Sequence, residues 1–106
     1  MRKGYNFNYL LKKQLNDNFC NDREIVKIAI SLSSTALNFA SVELRNDSDI
    51  VKIAISKCGY ALRFASQELQ NDIEIVKIAV SNYGSSLDYA SSKLQNDREI
   101  VITAVL

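Results

Sequence analysis

The stretch Leu44-Arg45-Asn46-Asp47-Ser48-Asp49-Ile50-Val51-Lys52-Ile53-Ala54 returns 25 residues later as Leu69-Gln70-Asn71-Asp72-Ile73-Glu74-Ile75-Val76-Lys77-Ile78-Ala79. It returns again as Leu94-Gln95-Asn96-Asp97-Arg98-Glu99-Ile100-Val101-Ile102-Thr103-Ala104. An earlier copy begins at Phe19 and keeps Asn21, Asp22, Glu24, Ile25, Val26 and Ala29. A fixed period on this scale constrains the fold more than any single residue does. Each unit is one supersecondary element that cannot bury its apolar face alone, so the units must stack. The expected fold is all-α, an α-solenoid of stacked antiparallel helix pairs with a 25-residue repeat.

Each repeat is read as two helices. Asp22 opens the first as an N-cap, its carboxylate accepting from the unpaired N–H groups of the first turn. Glu24 adds negative charge at the positive end of the helix dipole. Ile25, Val26, Ile28, Ala29 and Ile30 form a wide apolar face, which places this helix between neighbours. The second helix is expected over Thr35 to Leu44, with Leu37, Ala40 and Leu44 on one side and the aromatic column Phe39, Phe64, Tyr89 beside them. The Ala-Ser pairs at 40–41, 65–66 and 90–91 suggest close helix approach. Ser34, Gly59 and Gly84 align at the turn, where glycine suits a left-handed helix end. Asn21, Asn46, Asn71 and Asn96 precede the capping Asp and read as left-handed C′ residues. Loops this short force successive helices antiparallel.

The 106 residues make one helical-repeat domain, with an N-terminal cap over 1–18, repeats starting near 19, 44 and 69, and a half-repeat from 94. In the cap, Tyr5, Phe7 and Tyr9 read as an extended lead-in covering the end of the stack. A short, more polar helix follows over 10–18, and Arg2, Lys3, Lys12 and Lys13 suit a solubilising cap. At the other end Ile102 replaces Lys27, Lys52 and Lys77, and Thr103 replaces an Ile column. This end turns more apolar, which raises self-association through the C-terminal half-repeat.

Composition narrows the chemistry. There is no His, so the commonest general base and metal ligand are both missing. Cys20 and Cys58 cannot complete a four-ligand zinc site, and they read as reduced thiols of a cytoplasmic protein. A net charge of +1 argues against phosphate neutralisation as the main business, and so against nucleic acid as partner. No apolar run approaches the ~20 residues that span a bilayer. The recurring Asn-Asp-x-(Asp/Glu) motif invites a metal reading, but Asp47 and Asp49 do not face one another at a helix start. It also recurs at every period, as capping requires and a single site does not. The lysine column, three residues after Glu24, Asp49 and Glu74, reads as a self-neutralised exposed face. No catalytic, cofactor or metal residue emerges, and an enzyme is not expected.

The pattern Leu-x-Asn-Asp-x-(Asp/Glu)-Ile-Val-x-x-Ala, followed by Gly-x-(Ala/Ser)-Leu-x-(Phe/Tyr)-Ala-Ser, resembles the repeat family catalogued as domain of unknown function 4116. The resemblance covers residues 19–106, and the first copy departs from it with Ser34 in the glycine column. It implies helical tandem repeats and carries no activity with it; proteins with such repeats look like interaction scaffolds, some attached to larger effector-type proteins.

Columns that stay constant are explained by folding, so recognition is expected where copies differ. Lys57, Cys58 and Tyr60 stand against Asn82, Tyr83 and Ser85, and Arg63 stands against Asn38 and Asp88. Exposed Tyr and Arg are favoured at interface hot spots. The candidate partner-binding residues are therefore Tyr60, Tyr83, Arg63 and Lys57. The expected function is a non-catalytic protein-interaction module or scaffold with a protein partner. Two alternatives are carried: a stand-alone inhibitor of the immunity or counter-defence type that covers a nuclease or toxin, and a weak RNA binder.

Overall fold

The computed structural model describes residues 19–106. The aromatic lead-in, the helix over 10–18 and the basic cap expected from sequence lie outside the described residues. Three repeats and part of a fourth follow one another. The first holds α1 (Arg23–Leu32), a 3₁₀ helix η1 (Ser34–Phe39) and α2 (Val42–Arg45). The second holds α3 (Ser48–Lys57), η2 (Gly59–Phe64) and α4 (Gln67–Gln70). The third holds α5 (Ile73–Asn82), η3 (Gly84–Tyr89) and α6 (Ser92–Gln95), and α7 (Arg98–Val105) begins the fourth. The described residues contain helices and no strands.

Each long helix starts as its sequence dictates. The Asp22 carboxylate accepts from Ile25 N at 3.0 Å, and Asp72 and Asp97 accept from Ile75 N and Ile100 N at 3.1 Å. Asp47 holds two amides, Asp49 N and Ile50 N. These bonds satisfy donors that a helix start leaves open. Val26, Ile30, Ile50, Ile55, Ile75 and Ile100 are buried behind them. Successive long helices pack side by side, α1 on α3, α3 on α5 and α5 on α7, while η1, η2 and η3 form a second row. Leu37 and Leu62 fill the space between the rows. The described chain is elongated, 49 × 26 × 17 Å.

The second helix of each repeat is not the continuous helix expected over Thr35 to Leu44. It breaks at Ala40 and Ser41, both extended, with ψ of 161° and 162°. The Ser41 amide leaves its own helix and donates to Cys20 O at 2.8 Å. Its hydroxyl then caps α2 by accepting from Leu44 N at 3.2 Å. Ser66 and Ser91 do the same, with amides on Arg45 O and Gln70 O and hydroxyls capping α4 and α6. A serine that can bond both ways competes with the helix ladder and wins here. The Ala-Ser pair thus marks a helix start rather than a close helix crossing.

Two glycine and asparagine readings are also corrected. Asn46 and Asn71 lie at φ −104° and −107° with ψ near zero, not in the left-handed region. The asparagine is retained for its side chain, because Ser41 Oγ donates to Asn21 Oδ1 and Ser91 Oγ to Asn71 Oδ1, both at 2.6 Å. Asn46 and Ser66 form the same pair. Gly59 and Gly84 answer a need for close approach instead of a left-handed turn. A Cβ at Gly59 would collide with the carbonyl oxygen of Ala79 and stand 2.8 Å from Ser86 Oγ. A Cβ at Gly84 would collide with Ala104 O in the same way.

Lys52 and Lys77 of the lysine column pair between repeats and not within them. Lys52 Nζ meets Glu74 Oε2 at 3.3 Å, and Lys77 Nζ meets Glu99 Oε2 at 2.8 Å. In the first repeat Arg23 reaches across, with Nε 3.1 Å from Asp47 Oδ2 and Nη2 3.4 Å from Asp49 Oδ2. These exposed pairs set register more than they add stability.

Candidate functional site

The seam between the second and third repeats carries an aromatic cluster built from η2, η3 and the turn before η3. Cys58 ends α3 in an extended conformation, and its counterpart Tyr83 ends α5 the same way, with φ −155° for both. That geometry throws the Tyr83 ring back over the preceding repeat. Tyr60, on the first turn of η2, meets it with ring centroids 6.2 Å apart. The Tyr60 ring also meets Tyr89, at the end of η3, edge to face at 5.0 Å and 88°. Edge-to-face rings at this separation are mutually attractive.

Arg63 closes the cluster. Its guanidinium carbon lies 5.2 Å from the Phe64 ring centroid, 5.5 Å from that of Tyr60 and 5.7 Å from that of Tyr89. Nη1 donates to the Tyr60 hydroxyl at 3.4 Å. A cation held against ring faces gains from their negative quadrupoles. The Tyr89 hydroxyl is pushed above the ordinary tyrosine value, first by its interaction with the Tyr60 hydroxyl and then by burial. Tyr60 and Tyr83 remain 38% and 49% exposed, so the cluster is held in shape yet open to contact.

Three of the four residues singled out from sequence therefore come together. Tyr60 and Tyr83 belong to different columns, and the step from one repeat to the next makes them neighbours. Lys57 stands apart: it ends α3 on an exposed position and takes no part in the ring contacts. Phe64 and Tyr89 join the cluster without having been singled out from sequence, because they occupy an aromatic column whose regularity reads as core. The change from Phe to Tyr at 89 was the available signal, since a hydroxyl asks for a partner or water.

Elsewhere a shallow groove of about 440 Å³ lies between Ser56, Ile78, Ser81 and Asn82. Asn82, which lines it, donates from Nδ2 to Ile55 O and Ser56 O at 3.0 and 2.8 Å, capping the end of α3 from the next repeat. Among the described residues no three His, Cys, Asp or Glu side chains converge as a metal site. Cys20 and Cys58 are free thiols. No helix among the described residues is long and apolar enough to cross a membrane.

Comparison with known families matches the chain to Domain of unknown function (DUF4116) at residues 2–45, 22–70, 47–95 and 72–106. The chain belongs to this family. Three of the DUF4116 matches start at a capping aspartate, Asp22, Asp47 or Asp72, and those at 22–70 and 47–95 each span nearly two 25-residue periods. The match at 47–95 contains Tyr60, Arg63, Phe64, Tyr83 and Tyr89, so the whole cluster lies within one DUF4116 unit. No curated protein and no solved structure matches the chain.

Proposed function

We propose that this DUF4116 chain is a non-catalytic protein-interaction module of the cytoplasm, and that its recognition centre is the cluster of Tyr60, Arg63, Tyr83 and Tyr89. The observation that carries this reading is the way Arg63 and three tyrosines are pre-arranged across one seam while keeping exposed ring surface. Side chains already locked by packing lose little freedom on binding, and aromatic and Arg anchors are the usual centres of binding energy. An exposed face of rings beside a guanidinium suits a protein segment that offers an apolar side chain next to a carboxylate.

The test is site-specific photo-crosslinking in the source cells, with a photoreactive phenylalanine analogue placed at Tyr83 and, as control, at Glu68. A discrete protein adduct at position 83, absent at 68 and lost when Arg63→Ala is added, supports the proposal. Equal adducts at both positions, or none at 83, overturn it. A single-stranded RNA titration read by tyrosine fluorescence completes the test. Quenching that survives moderate salt would move the reading to base stacking on the same rings.

A further inference from the structure

We propose that the aromatic cluster takes a short extended protein segment of fixed charge order, an acidic side chain over Arg63, a basic one over Asp88 and an apolar one between them. This rests on the cluster being the recognition centre and adds what its partner must carry. Arg63 and Asp88 occupy the same column one repeat apart, where the first repeat has the neutral Asn38. Gln70 Nε2 donates to Arg63 O at 3.4 Å and Gln95 Nε2 to Asp88 O at 3.2 Å, so the two backbones are held in the same way. Both side chains are exposed.

On the long helices, opposite charges in successive repeats find one another: Arg23 with Asp47 and Asp49, Lys52 with Glu74, Lys77 with Glu99. Across the ring seam they do not. Among the described residues Arg63 and Asp88 form no ion pair, with each other or with any other group. The guanidinium is held over Tyr60, Phe64 and Tyr89 instead. The Tyr89 hydroxyl feels both charges, Arg63 lowering its pKa and Asp88 raising it, so both stand close to that ring. Two opposite charges left open beside the exposed rings of Tyr60 and Tyr83 define the complement as carboxylate, apolar group and cation. Asp88 also repels phosphates, which favours a protein segment over a nucleic acid. Packed helices lie about 8–10 Å apart and an extended chain advances about 3.3 Å per residue, so the acid and the base fall about three residues apart.

A random peptide library displayed on phage and selected on the full chain tests this. The expected consensus has an acid and a base about three residues apart with an apolar residue between them. Selection on Asp88→Lys, which leaves the ring contacts of Arg63 in place, should replace the consensus base by an acid. Selection on Arg63→Gln should erase the consensus acid, and the Asp88 variants carry the test alone should that change disturb the rings. Asp88→Asn should weaken the wild-type consensus peptide about two- to fivefold in fluorescence anisotropy, with an unchanged helical circular-dichroism spectrum. An uncharged consensus, no consensus, or a base retained on Asp88→Lys overturns the inference. A wild-type chain that sediments as a dimer, and as a monomer once Asp88→Lys is introduced, also overturns it by giving the face to a second copy. A protein adduct at position 83 in the crosslinking experiment, alongside any of these results, leaves the recognition centre standing and removes only the charge order.

Discussion

The seam between the first and second repeats and the seam between the second and third share one backbone plan and differ in nearly every variable side chain. Both long-helix pairs stack alike, and the Ser66 and Ser91 amides reach back to Arg45 O and Gln70 O at the same 2.9 Å. Yet the later seam has Gly59 against Ala79, Asn82 capping α3, and the tyrosine–arginine cluster. The earlier one has Ser34, Lys57 and Thr35 at the corresponding places, with Arg23 bound to Asp47 instead. The comparison separates what makes repeats stack from what makes one seam particular. Caps, the serine–asparagine pairs and the aliphatic columns do the first, and side chains off those columns do the second.

The largest expected difference between the seams concerns close approach. Gly59→Ala should destabilise the chain by about 1–3 kcal/mol, because the added methyl meets a backbone carbonyl that cannot rotate away. Ser34→Ala at the matching place should stay within about 0.5 kcal/mol. Urea unfolding of both variants checks the contrast, and equal losses would mean that the glycine is there for another reason.

Next in size is Ser86, which stands in a column otherwise held by Ala36 and Ala61. Its hydroxyl is fully buried and has no hydrogen-bond partner. Ser86→Ala should therefore raise stability by about 1 kcal/mol. A melting temperature that falls would show that the hydroxyl is satisfied in solution.

Smaller effects should follow from moving one link between seams. Asn82→Ala removes the amide that caps Ile55 O and Ser56 O, at a cost of about 0.5–1.5 kcal/mol. Lys57→Asn places an amide at the matching site behind α1 and should return part of that amount to the earlier seam. Paired denaturation curves for the two variants, shifting in opposite directions, are the expected result.

The smallest effect is pH-dependent and belongs to the earlier seam. The Arg23 hydrogen bond holds the Asp47 carboxyl below the usual carboxylate range, opposed by partial burial. Its folded value lies under its unfolded one, so the stabilisation is complete above about pH 4 and fades as pH falls through the folded value. Arg23→Gln should flatten that part of the stability–pH curve at low salt by lowering its neutral-pH plateau, with little change at the acid end, as urea unfolding at pH 7 and pH 2.5 would show.

How much of this was legible in the chain follows from the same division. The period, the Asp caps and the buried columns could be read directly, because each depends on spacing or on local chemistry. The break at Ala40-Ser41 could not, since Leu37, Ala40 and Leu44 fit a continuous helix as well as a broken one. The partners of Ser41 settle the matter, and they come from the repeat before it. Gly59 misled for a related reason: glycine fits a left-handed turn and a tight contact equally, and only the position of Ala79 distinguishes them. Tyr60, Arg63 and Tyr83 stand out in the sequence because they depart from their columns, although their contact across the seam is not legible there. Phe64 and Tyr89 were hidden because they conform.

Every hydrogen bond and ion pair described joins residues at most 27 apart in sequence. Nothing of that kind ties the first repeat to the third, so the stack is held the way a chain of hinges is held, link by link. A small tilt allowed at one joint is added to the tilt at the next, and the end-to-end curvature is softer than any single joint. A partner gripping two repeats would feel a stiff surface, whereas one spanning the full length would meet a compliant spring.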